Sequence, residues 1–274
     1  MRIGIFDSGN GGLSVLHEAY HILPNQEYVY YADTKHVPYG IKTKEEIRDF
    51  CDEIVSFLID KKVDAIVIAC NTATAVAAGF LREKYDLPIL AMEPAVKPAV
   101  ERLTGDEKRV LVMATPVTIR EEKLENLLKR VDQKHKVDLL EMPGLVTFAE
   151  NEEYDSENVK AYLKERFAGI DGNDYSSIVM GCTHFNYFKP LYKEVLGEKI
   201  TCIDGNNGTI RHLADVLGLD TNSSSNIAVT LNEPQDIVVR YKTTYYDSGD
   251  EITDNKGLSK IHRMLTRLEY VRSF

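Results

Sequence analysis

Two uninterrupted apolar runs constrain the fold of this chain more than any other feature. They are IVIAC at 66–70 and VLVMA at 110–114. A strand with one face in water alternates apolar and polar residues, whereas continuous runs are typical of central parallel strands covered on both faces. Segments with helical periodicity lie between such runs, and strand–helix alternation predicts parallel sheets covered by helices. The predicted fold class is therefore α/β.

The same alternation continues along most of the chain. A helix is predicted after Thr43, because Thr43 and Glu46 have the spacing of a capping box and the apolar residues that follow fall on one helical face. Residues from about 221 to 255 are polar and turn-rich apart from a strand-like run at 237–246, so this segment is predicted to be peripheral. A last helix is predicted at 258–271. Strands are predicted at 3–6, 28–31, 65–69, 88–91, 110–113, 177–180 and 199–203.

Composition and charge narrow the classes of function. With 274 residues, of which 43% are hydrophobic, the chain can bury one large core or two smaller ones, which excludes disorder. A net charge of −10 argues against sequence-independent binding to nucleic acid or to an anionic membrane. No run reaches the length of a membrane span and the N-terminus lacks a signal-peptide pattern, so we expect a cytoplasmic protein.

Four cysteines raise the question of their chemistry. Cys51, Cys70, Cys182 and Cys202 form no CxxC pair, and no histidine stands near them at a zinc-ligand spacing. We therefore expect free thiols, and neither a disulfide scaffold nor a metal site. Cys51 lies on the apolar face of a predicted helix and Cys202 lies inside a predicted strand, so both are interpreted as packing residues.

Cys70 and Cys182 stand in matching contexts. In IVIACNT (66–72) and IVMGCTH (178–184), an apolar strand passes through one small residue to a cysteine that is followed by hydrogen-bonding side chains. A second, weaker echo joins the strand IGIFDSG with VLVMATP. Together the echoes indicate two similar α/β units that face each other. Each unit would present a thiol at the carboxyl end of a strand, where ligands bind in such sheets.

Paired thiols of this kind suit proton transfer at carbon. A cysteine beside a helix N-terminus sees the positive end of the helix dipole and unpaired backbone N–H groups, which stabilise a thiolate. The same N–H groups can bind a carboxylate. Two opposed thiols, one acid and one base, could remove a proton from one face of a carbon and return one to the other face. That reaction requires no metal and no organic cofactor.

The first predicted strand ends in a polar, glycine-rich turn. Asp7 and Ser8 are followed by Gly9, Gly11 and Gly12, but the spacing is not GxGxxG and no GK[ST] follows, which argues against a nucleotide site. The glycines can instead let the backbone approach a small anionic ligand. Asp7 is interpreted either as a proton relay beside a thiol or as a plain helix cap.

Three other segments carry weaker signals. His184, two residues after Cys182, is the histidine most suggestive of thiol activation, and the other six histidines are interpreted as surface residues. Glu150 follows a short apolar run, and nothing local distinguishes it from a solvated carboxylate. Tyr39 and Gly40 stand in a turn, VPYG, of generic composition.

The order of these motifs resembles that of the aspartate/glutamate racemase family. The similarity runs from residue 3 to about residue 217, and its Cys-Asn-Thr and Gly-Cys-Thr-His blocks are the most specific. In chain order the blocks are DSGNGGLSVL, ADTKHVPYG, IVIACNTATA, MEPAV, VMATPVTIR and GCTHF. The resemblance implies a cofactor-independent racemase of glutamate, supplying D-glutamate for peptidoglycan, with two pseudo-symmetric α/β domains around a buried site.

The resemblance also implies roles for single residues. Cys70 would take the α-proton of D-glutamate and Cys182 that of L-glutamate. Asp7, His184 and Glu150 would be assisting groups. The positions that match substrate contacts are Ser8, Tyr39, Gly40, Asn71, Thr72 and Thr183.

The family further suggests a discontinuous first domain. It would comprise residues 1–93 and 206–274, with residues 94–205 as the second domain. Glutamate would be the partner, with no nucleic acid and no membrane, and a homodimer is a candidate assembly. The chain departs from the family pattern by a longer C-terminal region and at Asn10 for a small aliphatic residue, Ala32 for a glycine and Asn186 for a proline.

Three alternatives stay open from the sequence. The first is a racemase of aspartate or a related small acid in the same superfamily. The second is a binding protein that keeps the scaffold without turnover. The third is a thiol hydrolase using Cys182 and His184, which would form an acyl-enzyme and need only one cysteine.

Overall fold

The computed structural model of the protein describes residues 1–103, 108–221 and 231–274. Its strands are β1 (Arg2–Asp7), β2 (Glu27–Ala32), β3 (Ala65–Ile68), β4 (Ile89–Ala91), β5 (Arg109–Ala114), β6 (Val137–Glu141), β7 (Tyr175–Gly181), β8 (Thr201–Ile203), β9 (Thr243–Asp247) and β10 (Asp250–Glu251). Its α-helices are α1 (Leu13–Ile22), α2 (Lys44–Asp60), α3 (Asn71–Lys84), α4 (Val96–Glu101), α5 (Pro116–Arg120), α6 (Glu122–Val131), α7 (Gly144–Glu150), α8 (Glu157–Arg166), α9 (Lys189–Leu196), α10 (Asn206–Leu217), α11 (Asp236–Val239) and α12 (Asn255–Val271). Short 3₁₀ segments occupy Tyr39–Ile41, Gly172–Asp174 and Thr183–Phe188. Within the described ranges, no helix has both the length and the apolar character needed to cross a bilayer.

The strands form two sheets in which four strands follow the same order. The larger sheet runs β10-β9-β2-β1-β3-β4 and the smaller runs β6-β5-β7-β8. When β1 is aligned with β5, the order β2-β1-β3-β4 repeats as β6-β5-β7-β8. Neighbouring strands pair in parallel, apart from β10, which is antiparallel to β9. The predicted α/β class with parallel sheets is confirmed, and β3 and β7, which lead to the two cysteines, occupy equivalent places.

Local sequence signals account for the elements that surround the first sheet. The hydroxyl of Thr43 accepts from the amide of Glu46, and the Glu46 carboxylate accepts from the amide of Thr43, so the predicted capping box starts α2. Strand β3 is buried at every position, as expected for a parallel strand covered on both faces. Helix α3 begins directly after it, with Cys70 as its N-cap residue.

The two sheets share a core. The chain leaves the larger sheet after β4, enters the smaller through α4 and β5, and later passes from β8 into α10, which packs on α1. One apolar cluster contains Ile5 of β1, Met113 of β5 and Leu265 of α12. Burial of these side chains together holds both sheets and the C-terminal helix in one packing unit. The division into domains at residues 93 and 205 stays a prediction.

The C-terminal region belongs to the larger sheet, so the prediction of a peripheral segment is wrong for its described part. Strand β9 pairs with β2 along its whole length, and its Tyr245 and Tyr246 are buried. The strand-like run predicted at 237–246 is in fact split between helix α11 and β9. The remainder of the predicted peripheral segment, residues 222–230, lies outside the described residues. Aromatic and β-branched residues, which favour strands, are concentrated in the TTYYD of β9.

Two histidines also correct the sequence interpretation. His17 and His21, predicted to be surface residues, are buried on α1. Both contact Glu269 of α12, because α12 packs along α1 and covers that face of the helix. No local pattern indicates this contact, since it joins residues about 250 positions apart.

Candidate active site

The carboxyl ends of β1, β3 and β7 bring the two sheets together. Ser8, just after β1, accepts a hydrogen bond from the Cys70 thiol at 3.6 Å. Thr183, just after Cys182 of the other sheet, donates its hydroxyl to Asp7 Oδ2 at 3.2 Å. Parallel strands place their carboxyl ends at one edge, and here the edges of two sheets face each other. Residues predicted from separate motifs are therefore in contact.

Cys70 lies at the N-terminus of a helix and is deeply buried. Its Sγ accepts from the amide of Ala73 at 3.4 Å, and the residue is 5% exposed. Burial raises the pKa of the Cys70 thiol well above its ordinary value, and the negative charge of Asp7 raises it further. The amide of Ala73 and the hydroxyl of Ser8 act in the opposite direction but do not compensate. Cys70 is therefore held as a neutral thiol, so the helix N-terminus alone does not produce a thiolate here.

Cys182 has a different neighbour. It is 8% exposed and precedes the 3₁₀ segment Thr183–Phe188, which is not an α-helix. Its Sγ lies 3.8 Å from Nδ1 of His184. A helix N-terminus is predicted at both cysteines, and this prediction is correct for Cys70 only. The polar partner of Cys182 is an imidazole.

His184 is held between Cys182 and Glu150. Its Nε2 lies 2.7 Å from Glu150 Oε1, while the amide nitrogen of Gly11 lies farther away, at 3.2 Å. A proton on Nε2 can bond the carboxylate but not an amide donor, so the shorter contact with the charged group fixes a donating Nε2. Burial lowers the pKa of His184, but the hydrogen bonds and negative charges of Cys182 and Glu150 outweigh burial and raise it well above its ordinary value. A protonated imidazole beside a sulfur is an arrangement that stabilises a thiolate.

Glu150 is largely, though not fully, buried in the site and is not the solvated carboxylate that its local sequence suggests. Its side chain is 13% exposed. Oε1 accepts from the backbone amide of Asn10 at 2.5 Å and Oε2 accepts from the Asn10 side-chain amide at 2.7 Å. Burial raises the pKa of Glu150, but His184 and the Asn10 donors more than offset it and lower the pKa to about 2. Glu150 is a carboxylate that keeps His184 charged.

Asp7 is fully buried between the two halves of the site. Its Oδ2 accepts from the amide of Gly12 at 2.7 Å and from Thr183, while Oδ1 has no hydrogen-bond partner among the described residues. Burial raises the pKa of Asp7, although the charge of His184 and the Gly12 amide lower it in part. Asp7 bonds the amide of Gly12 in the turn before α1, but Gly12 and not Asp7 is the N-cap residue of that helix, and the role of Asp7 beside a thiol stays a prediction.

Neighbouring side chains approach the backbone so closely at Gly11 and Gly12 that these positions require glycine. A Cβ atom at Gly11 would overlap the side chains of His184 and Thr183, and one at Gly12 would stand 2.5 Å from the Cβ of Asp7. A side chain at Gly11 would push the two sheets apart at the site, and one at Gly12 would clash with residues of the larger sheet. This packing, and not nucleotide binding, explains the glycine-rich turn.

The predicted substrate-contact residues fall into two groups. Ser8, Asn71, Thr72 and Thr183 are buried close to the cysteines in sequence and around the facing strand ends. Tyr39 and Gly40 come from a separate 3₁₀ segment, and Tyr39 is buried in the same apolar cluster as Cys70. The hydroxyl of Tyr39 is bonded to Asp33 at 2.6 Å, and the backbone of Gly40 packs against Thr115.

Two further residues, which are not among those predicted from the sequence, lie at the site. The hydroxyl oxygens of Thr72, Thr115 and Thr118 lie 3.0 to 3.2 Å from one another and are buried. Thr115 directly follows β5, in the position that Ser8 occupies after β1. The echo between IGIFDSG and VLVMATP was therefore the signal that could have identified Thr115. Thr115 is the N-cap residue of α5, and Thr118, whose amide donates to the Thr115 hydroxyl, lies in the first turn of that helix.

Comparisons with known proteins agree on one family. The family model described as Asp/Glu/Hydantoin racemase matches residues 13–213. A protein of Campylobacter curvus named glutamate racemase is 48% identical over 272 residues, which cover 98% of this chain and 97% of that protein. The structure of a glutamate racemase from Campylobacter jejuni superposes with a TM-score of 0.77 at 28% identity, covering 97% of this chain and 98% of that one. The Escherichia coli glutamate racemase, solved with L-glutamate and the activator UDP-MurNAc-ala, gives a TM-score of 0.74 at 27% identity and covers 92% and 99% of the two chains.

Proposed function

The chain belongs to the Asp/Glu/Hydantoin racemase family, and we propose that it interconverts L- and D-glutamate by proton transfer at Cα between two cysteines. The observation that carries this proposal is the facing pair of thiols. Cys70 and Cys182 follow equivalent strands of two sheets, and Cys182 is close enough to add to the electrostatic environment of Cys70. A substrate between them would present opposite faces of one carbon to the two sulfurs.

The proton steps follow from the surroundings of each thiol. Cys182 beside the His184 cation acts as thiolate and takes the Cα proton of L-glutamate. The buried Cys70 thiol gives its proton to the opposite face of the resulting carbanion, which yields D-glutamate. The enzyme is left with Cys182 as thiol and Cys70 as thiolate, the state that accepts D-glutamate in the reverse direction.

The carbanion requires electrostatic stabilisation, because the Cα proton of an amino acid is only weakly acidic. Hydrogen-bond donors in a closed site give this best. Asn71, Thr72 and Thr183 are buried donors at the facing strand ends, and we assign them to the substrate carboxylates. The unpaired Oδ1 of Asp7 is a buried acceptor that a substrate ammonium group can satisfy.

Asp7 and the His184–Glu150 pair act on the thiols. Asp7 raises the pKa of Cys70 and therefore favours its acid form. His184 carries the positive charge beside Cys182, and Glu150 keeps that charge in place. In this proposal each cysteine has its own assisting group. The wider setting of the proposal is a cytoplasmic enzyme that supplies D-glutamate for peptidoglycan, with a homodimer as a candidate assembly.

Racemisation in D₂O tests the proposal. With L-glutamate as substrate, the first D-glutamate formed should carry one deuterium at Cα, while the remaining L-glutamate stays unlabelled early in the reaction. D-Glutamate without label would exclude exchange through solvent-equilibrated thiols. The same assay on L-aspartate separates the two acidic substrates, and the absence of turnover on both would leave a binding protein. A covalent acyl adduct on Cys182, detected by mass spectrometry, would favour a thiol hydrolase.

A further inference from the structure

Three potential metal ligands converge outside the site described above. His17 and His21 lie four residues apart on α1, so their side chains stand one above the other on the same helix face. Glu269 of α12 faces them, with its Oε2 at 2.8 Å from His17 Nε2 and at 3.1 Å from His21 Nε2. The three ligand atoms lie within 4.8 Å of one another. No other cluster of three such groups is found in the described part of the chain.

The geometry of this cluster suits a small cation. Ligand atoms around a tetrahedral Zn²⁺ lie roughly 3.3 Å apart, given bond lengths of about 2.0–2.1 Å. Reaching that spacing requires the Glu269 carboxylate to move outward by a few tenths of an ångström and the two imidazole nitrogens, which lie within 4.8 Å of each other, to turn closer together. The Glu269 side chain is 31% exposed, whereas the histidines are almost fully buried, so the cluster is open on the carboxylate side. A water molecule from that side can complete the coordination.

The chemistry of the donors agrees with the geometry. Metal binding requires neutral imidazole and ionised carboxylate. His17 and His21 supply two imidazole nitrogens and Glu269 supplies a carboxylate oxygen, and all three are ligand types that Zn²⁺ accepts. His21 stands in the last turn of α1, where the negative end of the helix dipole favours a cation. Without an ion, both imidazoles contact the same carboxylate oxygen of Glu269. A bound ion would form a bond to each of the three side chains at once.

We propose that His17, His21 and Glu269 bind a divalent transition-metal ion, with Zn²⁺ as the preferred ion and water as the fourth ligand. The bound ion joins the first helix to the C-terminal helix. It uses none of the residues assigned to catalysis. Its direct consequence is stabilisation of the packing of α12, which also bears Arg263, bonded to Glu152, and Arg267, bonded to Asp155.

Titration of the full-length protein with Co²⁺ is the first test, because this ion reports its ligands by absorption. One equivalent should bind and give visible ligand-field bands without a thiolate-to-cobalt charge-transfer band. Zn²⁺ should displace it and raise the melting temperature. A charge-transfer band would place the ion on the catalytic cysteines and overturn the proposal, as would the absence of binding.

Variants decide which residues are ligands. His17→Gln and His21→Gln should weaken Co²⁺ binding by more than about 100-fold, since even outer-shell partners of a metal contribute 10–100-fold. Their racemase activity without metal should equal that of the wild type, which verifies folding. His212→Gln, at an exposed histidine on α10, is the matched control and should bind as the wild type does. If a buried histidine variant fails to fold, Glu269→Gln decides, and unchanged affinity in that variant overturns the proposal.

Discussion

Cys70 and Cys182 occupy equivalent places in two similar sheets but have different polar surroundings. Cys70 caps an α-helix and donates to Ser8, next to the buried Asp7. Cys182 precedes a 3₁₀ segment and faces the His184 imidazole, which Glu150 keeps protonated. One thiol is therefore buried next to a carboxyl group, and the other lies next to a positively charged imidazole.

The difference shows which property the fold repeats and which it does not. The repeated strand order places a sulfur at the same point of each sheet, and this needs only the backbone and one small residue before the cysteine. The protonation state depends on groups contributed by distant segments. Proton transfer between two identical thiols requires that one is acid while the other is base, so the asymmetry is what the proposed reaction needs.

The largest expected effect comes from removing either sulfur. Cys70→Ala and Cys182→Ala should each lower kcat/KM for glutamate racemisation by at least about 10³-fold, because each thiol is the acid or base of one proton step. Initial rates measured by chirality-resolved chromatography check this. Cys202→Ala, on half-buried β8, is the control and should keep its activity. Substantial activity in either catalytic variant would show that the two sites are not both required.

His184→Gln tests the positive side of the comparison. Loss of the imidazolium should lower kcat/KM by about 10²-fold. The loss must be equal in both directions, since the equilibrium constant between enantiomers is one. The asymmetry should appear instead in the kinetic isotope effect, which should increase more with α-deuterated L-glutamate than with the D enantiomer. Equal changes for both enantiomers would contradict the pairing of His184 with Cys182, and His212→Gln serves as the control.

Asp7→Asn is the corresponding change on the other side. It removes the negative charge that favours the acid form of Cys70, and we expect a decrease of kcat/KM between about 10- and 100-fold. Here the isotope effect should increase more with α-deuterated D-glutamate. A larger effect on the L side would place Asp7 with Cys182, to which it is also linked through Thr183.

The position of both cysteines could be predicted from the sequence, because strand periodicity and the residues after each strand are local signals. The state of each thiol could not. Asn10 and Glu150 are 140 residues apart, and nothing in LVTFAEN indicates that the carboxylate will be buried beside His184. The resemblance assigned Glu150 a role, whereas its low pKa depends on contacts that only the folded chain brings together.

The errors in the fold have the same origin. Strand β9 is partly polar and follows a polar segment, so its local pattern suggested a peripheral position. Its place in the sheet depends on pairing with β2, which precedes it by more than 200 residues. Likewise, β6 was not predicted because VDLLE is only partly buried, as an edge strand of the smaller sheet.

Glu150→Gln tests the electrostatic support of Cys182 through its pH dependence. The folded-state pKa of Glu150, about 2, lies below its ordinary value of 4.5. Its contribution to stability is therefore complete above about pH 4.5 and is lost as the pH falls towards 2. The melting temperature of the variant should lie below that of the wild type at neutral pH, and the difference should shrink between these two pH values.

Activity gives the second readout of that variant. Because Glu150 acts through His184, the decrease in kcat/KM should stay near about tenfold, below the range of groups that transfer protons directly. Glu152→Gln removes a carboxylate bonded to the exposed Arg263 and is the control for a nearby ion pair. A difference in melting temperature that persisted unchanged down to pH 2 would mean that Glu150 stabilises the fold by packing and not by charge.

Ser8→Ala should have the smallest effect, and it decides between two roles for Ser8. The hydroxyl accepts a long, neutral hydrogen bond from Cys70, and such a bond contributes about 1 kcal/mol, or about fivefold. Burial and Asp7, which are unchanged in the variant, keep Cys70 protonated, so kcat should be preserved. If Ser8 contacts glutamate, as the family pattern implies, the fivefold loss will appear in KM.

A decrease in kcat instead would mean that Ser8 acts on Cys70 during proton transfer, and the two thiols would then differ less in their dependence on a polar partner. Ser14→Ala, at a buried hydroxyl without a hydrogen-bond partner among the described residues, is the matched control for loss of a buried oxygen.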